Sequence, residues 1–307
     1  MLMRRWTPAI ALTVVLMPLS ARSWGDQGHR IVAMVAESKL EPEARKILKR
    51  LLGRRSLASA ATWADDIKEI CERTRRWHYV DIPVYVHESA GVYDPRRDCA
   101  KDPRKGDCAI AAIDFYRASL EDPATSDQDR LVAVALLTHF IGDIHQPLHT
   151  ADNHDAGGNG TYVRFFNHTV NLHTLWDTSI LNAMLDSTHG SESKLARVLI
   201  QRAAGNLETL GRGSQVDWVH EAHRLARLQA YKLPPPSVNV TVWNDKTRRK
   251  RKLVVPRLGQ TYLSESSRVV EDQLLRAGVR LARVLNRVVA GQAAVPGGLG
   301  MTCPVRH

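Results

Sequence analysis

Two histidine–aspartate pairs carry spacing that suits chemistry. "LVAVALLTHFIGDIHQPLH" (Leu131–His149) holds His139 and Asp143 four residues apart, and "NLHTLWD" holds His173 and Asp177 at the same interval. In a helix, residues i and i+4 share one face. The first segment is apolar nearly all round, so its helix is expected to be buried. A buried carboxylate without a partner is costly, and no Lys or Arg follows Arg130 within this helix. A metal cation is the natural counter-charge. One such pair reads most simply as a satisfied core pair; two of them shift the balance toward ligands.

Further candidates lie along the chain. "WGDQGH" offers His29, "TWADDIK" offers Asp65 and Asp66, "WHYVD" offers His78 and Asp81, and His149 follows Pro147. Imidazole and carboxylate ligands without thiolate point to zinc, ahead of manganese or another divalent ion. The set exceeds what one zinc needs. Closely spaced metals bridged by carboxylate are an apparatus for phosphoester cleavage.

The elements that must position these residues are mostly helical. Apolar periodicity predicts helices over 26–38, 41–52, 56–72, 107–121, 126–146, 172–186, 191–209, 214–230 and 258–290. Pro42 suits a first turn, Gly53 a helix end, and Ser126 or Asp127 a cap for the long apolar helix that Pro147 limits. Alternation over Ser237–Val255, with Asn244-Asp245 as its turn, predicts a small β-hairpin, and "TYVRFF" (Thr161–Phe166) a short extended piece. No βαβ rhythm or internal repeat is present. The expectation is a mainly α, multi-helix single domain.

Arg4 and Arg5, the apolar run Ala9–Leu19 and the small residues of Ala21-Arg22-Ser23 read as a signal peptide. Cleavage after Ser23 would leave residues 24–307 as the mature domain, secreted or periplasmic and free of the membrane. A retained membrane anchor is the alternative. Loss of Arg4, Arg5 and Arg22 lowers the formal charge from +11 to +8, which suits a polyanionic substrate such as nucleic acid. The four cysteines suggest disulfides in an exported protein. Cys99 and Cys108 flank a polar loop and are expected to pair, leaving Cys71 with Cys303, although four cysteines allow three connectivities. A zinc–thiolate site lacks any Cys-x-x-Cys spacing in its support.

"WGDQGH", "TWAD", "HYVD", "THFIGDIHQPLH" and "NLHTLWD" occur here in the order seen in the trinuclear zinc single-strand nucleases, the S-one and P-one type, whose fold and metal site are related to zinc phospholipase C. "GGNGTYVRFF" and "AGVRLARVLN" are similar to that family too, so the resemblance spans essentially the whole mature chain. It implies three zinc ions. Asp65, His78 and His139 would hold one. Asp143 would bridge it to a second, also held by His29 and by Trp24 through its free α-amino nitrogen and its carbonyl oxygen. His149, His173 and Asp177 would hold the third. Asp65, Asp143 and Lys68 would serve catalysis, Asp65 by orienting water.

The resemblance also implies a monomer that cleaves single-stranded DNA and RNA to 5′-phosphorylated products and removes the 3′-phosphate of mononucleotides. Tyr79 resembles the position that stacks on a nucleobase, with a packed core tyrosine as the other reading. Asp81 resembles a base-contacting acid or a support for a ligand histidine. Lys68 stands where the family commonly has an arginine that grips phosphate, and lysine keeps the charge without the two-pronged geometry. A phospholipase C-like phosphodiesterase is the alternative activity. A non-catalytic zinc- or nucleic-acid-binding protein would be expected to lack part of the ligand set. His145 reads as a local hydrogen-bonding residue, and the basic turn Lys246–Lys252 as a solvated hairpin tip, with contact to a nucleic-acid backbone as the second option.

Overall fold

Ser126 starts the helix that carries His139 and Asp143: its hydroxyl oxygen accepts from the Asp129 amide at 3.1 Å, satisfying one of the donors that every helix start leaves over. That helix is central to the architecture. The computed structural model describes residues 24–84, 91–100, 107–244, 247 and 249–289. In chain order the elements are α1 (Gly25–Ser38), α2 (Pro42–Leu52), α3 (Leu57–Ala60), α4 (Trp63–Ile70), α5 (Pro95–Asp98), α6 (Ala109–Glu121) and α7 (Asp127–Asp143). Strands β1 (Tyr162–Phe165) and β2 (His168–Asn171) follow, then α8 (Leu172–Thr174), α9 (Ile180–Met184), α10 (Glu192–Arg202), α11 (Leu207–Gly211) and α12 (Gln215–Leu225). Strands β3 (Val238–Asn244), β4 (Arg249–Val255) and β5 (Arg257–Leu258) lead into the long α13 (Gln260–Val289). The fold is mainly α.

The core is one contiguous cluster of buried apolar side chains running from Trp24 to Val288. Helix α7 packs against α6, α13, α1 and α4, while α1 packs against α13, α10 and α3. Gly278 lets α1 and α13 cross closely, since a Cβ there would lie 2.5 Å from the Val35 Cβ. β1 pairs antiparallel with β2 and parallel with β5, and β3 and β4 form a separate antiparallel ribbon. Among the described residues no helix is long and apolar enough to cross a membrane.

Several predicted helices are shorter than the apolar pattern suggests. The one expected over 126–146 stops at Asp143 because Pro147 pushes Gln146 into extended backbone (φ −81°, ψ 119°). The one expected over 56–72 divides into α3 and α4, and the residue between them, Ala61, turns its carbonyl to His139. The one expected over 191–209 divides at Gly205, whose φ of +79° ends a helix. Residues 257–258 are strand, so the last helix begins at Gln260. The extended piece at 162–165 acquires the partner β2, which was not expected. Cys99 and Cys108 are disulfide-bonded. The expected partner of Cys71, Cys303, lies outside the described residues, as do the leader (residues 1–23) and Asp245 of the predicted hairpin turn.

Candidate metal centre

Helices α1 and α7 bring the first residues together. His29 on α1 and His139 on α7 stack with ring centroids 3.8 Å apart and planes 11° apart. Gly142 makes this possible, because a Cβ there would sit 2.8 Å from the His29 Nδ1. Gly28 does the same for Trp24, whose Cβ would be 2.7 Å from an added Cβ. Trp24 is fully buried, and its indole nitrogen donates to the Gly142 carbonyl at 2.8 Å. The start of the described chain is thus pinned one residue from Asp143.

Asp143 is the centre of the first cluster. Its Oδ1 lies 3.2 Å from His29 Nε2, and its Oδ2 lies 3.0 Å from His78 Nδ1 and 3.4 Å from His139 Nε2. Asp65, from α4, approaches His139 at 3.7 Å and His78 at 3.9 Å. His78 ends a single 3-10 stretch, Glu72–His78. A second cluster gathers His149, from the 3-10 turn Pro147–Thr150, with His173 of α8 and Asp177 of the π-helical turn that follows it. His173 Nε2 is 3.2 Å and His149 Nε2 3.8 Å from the Asp177 carboxylate. All eight of these histidines and aspartates are buried.

Main-chain carbonyls orient three of the rings. His139 Nδ1 meets the Ala61 carbonyl at 2.7 Å, His149 Nδ1 the His78 carbonyl at 2.6 Å, and His173 Nδ1 the Gly157 carbonyl at 2.6 Å. A carbonyl only accepts, so each Nδ1 carries the hydrogen and each Nε2 presents a lone pair to its cluster. Gly157 adopts φ +61°, and a Cβ there would lie 2.7 Å from the Leu148 carbonyl. The Asp155 carboxylate ties this loop by accepting from the Gly158 amide at 2.9 Å, the Tyr231 hydroxyl at 2.8 Å and the Thr161 hydroxyl. The Gln146 amide nitrogen donates to Asp177 while its oxygen accepts from the Leu148 amide.

The electrostatics follow from burial and company. Burial pushes the His139 and His149 rings down to about 3. Burial pushes Asp143 up, but His139, His29 and His78 together outweigh it and hold the carboxyl well below the usual range. Neutral rings and an ionised carboxylate are the protonation states that metal ligands need.

The donor set fits a metal. Tetrahedral bonds of about 2.0–2.1 Å to a common zinc put ligand atoms roughly 3.3 Å apart, and the separations above run from 3.0 to 3.9 Å. Buried polar atoms without a hydrogen bond, including both Asp143 oxygens and His149 Nε2, are what a cation would satisfy. Three metal-capable groups occur among the described residues: His29–Asp65–His139 and His78–His139–Asp143, which share His139, and the separate His149–His173–Asp177.

The sequence profile of the S1/P1 nuclease family matches residues 24–290, the span that builds both clusters. The chain belongs to the S1/P1 nuclease family. It is 31% identical over 308 residues to Endonuclease 4 of Arabidopsis thaliana, covering 94% of this chain and 97% of that relative. It is 39% identical over 184 residues to Nuclease S1 of Aspergillus oryzae, covering 58% of this chain and 61% of that relative. It is 29% identical over 289 residues to Nuclease P1 of Penicillium citrinum, covering 88% of this chain and all of that relative.

Around the clusters, this family member places the other named residues as follows. Tyr79 is half-buried; burial and the nearby Asp81 raise its hydroxyl above the usual range, with Arg76 opposing. Asp81 is exposed at its surface yet partly shielded by its neighbours; that shielding and nearby Asp152 raise its carboxyl to about 6, with Arg76 opposing. Asp66 turns to solvent. Lys68 lies within α4, and its side chain is outside the described residues. His145 hydrogen-bonds the Ile141 carbonyl at 2.7 Å and receives Arg280 at 2.8 Å, so it is a local structural residue. Sequence reasoning missed Gln146, Arg76 and Asp155. Gln146 is the most recoverable, since it sits between two ligand candidates in "DIHQPLH".

Proposed function

We propose that this chain is an exported zinc-dependent endonuclease that hydrolyses single-stranded DNA and RNA to 5′-phosphorylated products and also removes the 3′-phosphate of mononucleotides. The observation that carries the reading is the pair of adjoining buried His/Asp clusters, three metal-capable groups in all, in a chain of the S1/P1 nuclease family. The ligand residues are Asp65, His78 and His139 for one zinc, Asp143 shared with a second held by His29 and the Trp24 terminus, and His149, His173 and Asp177 for a third. Bound zinc supplies Lewis acidity and lowers the pKa of water toward about 7.

The chain's own residues do the rest. Asp65 accepts a hydrogen bond from the attacking water and orients it. The water oxygen bonds to phosphorus as the bond to the 3′ oxygen breaks, and a proton ends on that oxygen. Tyr79 offers a ring face on which a base can lie, Asp81 a polar contact for that base, and Lys68 a charge for phosphate. A base stacked in this way must leave its helix first, which favours single strands. Residues 1–23 act as a signal peptide cleaved after Ser23, leaving one monomeric nuclease domain. The Cys99–Cys108 bridge suits an oxidising compartment.

Metal analysis of the mature protein, paired with digestion of denatured DNA, RNA, duplex DNA and phosphatidylcholine before and after chelation, tests the reading. Zinc near three per chain and chelator-sensitive cutting of single strands are expected. Activity surviving exhaustive zinc removal, or preference for the phospholipid, would overturn it.

A further inference from the structure

The β3–β4 ribbon carries a second cluster of residues that the hydrolytic site does not use. Side chains alternate along each strand. On β3, Val238, Val240 and Val242 turn inward, whereas Asn239, Thr241 and Trp243 are exposed. The register pairs Asn239 with Val254, Thr241 with Lys252 and Trp243 with Lys250, so all six share the outward face. Trp243 is 51% exposed, beside Lys250 and diagonal to Lys252.

The face continues into a basic cleft. Asn239 and Thr241 line it on the ribbon side, and Arg164, Arg257 and Phe166 line it on the β1–β5 side. Arg164 and Arg257 are neighbours across that parallel pairing. Lys250, Lys252 and Arg257 make no ion pair with an acid among the described residues. β1 also pairs with β2, the strand that runs directly into His173. One wall of the cleft, the β2–β1–β5 sheet, therefore leads directly into His173 of the third metal-capable group.

Lysines on a two-stranded ribbon have a plain use, to discourage edge-to-edge pairing. That use leaves unexplained a tryptophan spread on the same face. Cationic side chains interleaved with exposed aromatic rings are the chemistry that single-stranded nucleic acid meets: phosphates on the charges, unpaired bases on the rings. We infer that the outward face of the ribbon, with Trp243 as stacking platform and Lys250 and Lys252 as phosphate contacts, is a docking site for single-stranded nucleic acid away from the scissile phosphate. It would hold a distant part of a long strand and leave short substrates untouched. This inference rests on the nuclease reading.

The test compares the natural chain with Trp243→Ala and with a Lys250→Ala/Lys252→Ala double variant, on a dinucleotide and on a long oligothymidylate. Expected for Trp243→Ala is a fall of about fivefold in kcat/KM on the long strand, the lower end of what one lost stacked base produces, with the dinucleotide unchanged. The double variant should flatten the plot of log(kcat/KM) against log salt on the long strand by about 0.7 per lysine. Unchanged long-strand kinetics in both variants would overturn the inference, and so would an equal loss on the dinucleotide, which marks a general structural effect. Loss of binding to anionic phosphatidylglycerol vesicles with unmoved nuclease kinetics would assign the face to lipid instead and overturn it as well. If the natural chain cuts neither substrate, the nuclease reading itself fails, a result distinct from all of these.

Discussion

Asp143 and His29 meet at 3.2 Å between α7 and α1, while the other oxygen of the same carboxylate faces His78 and His139. One side chain thus divides its two oxygens between two histidine sets. Asp143→Asn should lower the zinc content and reduce cleavage of single-stranded DNA by more than about a hundredfold, since even supporting residues of a metal site cost up to that much. Elemental analysis alongside a nuclease assay checks it, and full zinc with near-normal turnover would remove Asp143 from the bridging role.

Trp24 is buried, with its indole nitrogen on the Gly142 carbonyl, so it has a fixed place beside the cluster. A mature chain carrying one added N-terminal methionine should bind less zinc and cut poorly if the terminal amine is a ligand. If the extended protein loads three zincs and turns over normally, Trp24 is a packing residue alone.

The Gln146 side-chain amide donates to Asp177 and so holds the orientation of that carboxylate. Gln146→Ala should cost about ten- to a hundredfold in zinc affinity or activity, whereas Gln146→Glu sets two acids against each other and should do worse. Equal activity in all three proteins would leave Gln146 without a positioning role.

The buried rings make the metal-free protein acid-sensitive in a defined window. His139 and His149 are depressed from 6.5 to about 3 by burial. A histidine with a depressed folded pKa stabilises the fold fully above its unfolded value, and that stability drains away as pH falls from about 6.5 toward 3. The Tm of the chelated protein should drop through this range, and His149→Gln should flatten the decline. A Tm independent of pH between 6.5 and 4 would count against neutral buried rings.

Gly142→Ala adds a methyl 2.8 Å from the His29 ring. Overpacking of this kind costs about 1–3 kcal/mol, so a lower Tm is expected together with reduced zinc, because His29 has to move. A variant of natural stability and full zinc would show that α1 can shift without consequence.

Much of this was legible in the sequence. The apolar run around His139 and Asp143, the Ser126 cap and the breaking Pro147 specify a buried helix with two polar residues on one face, and α7 is that helix. Gly28 of "WGDQGH" and Gly142 of "FIGD" were visible as letters, but the purpose of Gly142, room for the His29 ring, depends on a neighbour from another helix. β2 was illegible because "HTVN" is short and mostly polar, and its strand character comes from pairing with β1. The support given by Ala61, His78 and Gly157 passes through carbonyls, which every residue has and no side-chain pattern marks. Gln146 reaches an acid 31 positions away, beyond any local periodicity.

His78 belongs to both clusters at once: its ring faces Asp143, and its carbonyl holds His149. The Val80 amide, two residues on, returns a bond to the His149 carbonyl at 2.7 Å. A single residue's width therefore sets the distance between the two halves of the centre. An ion that fixed the His78 ring would also fix the peptide that aims His149, so successive ions should bind with linked affinities rather than as independent events. Two backbone-borne hydrogen bonds join the halves through His149, and partial metal depletion should yield mostly full and empty molecules instead of an even mixture.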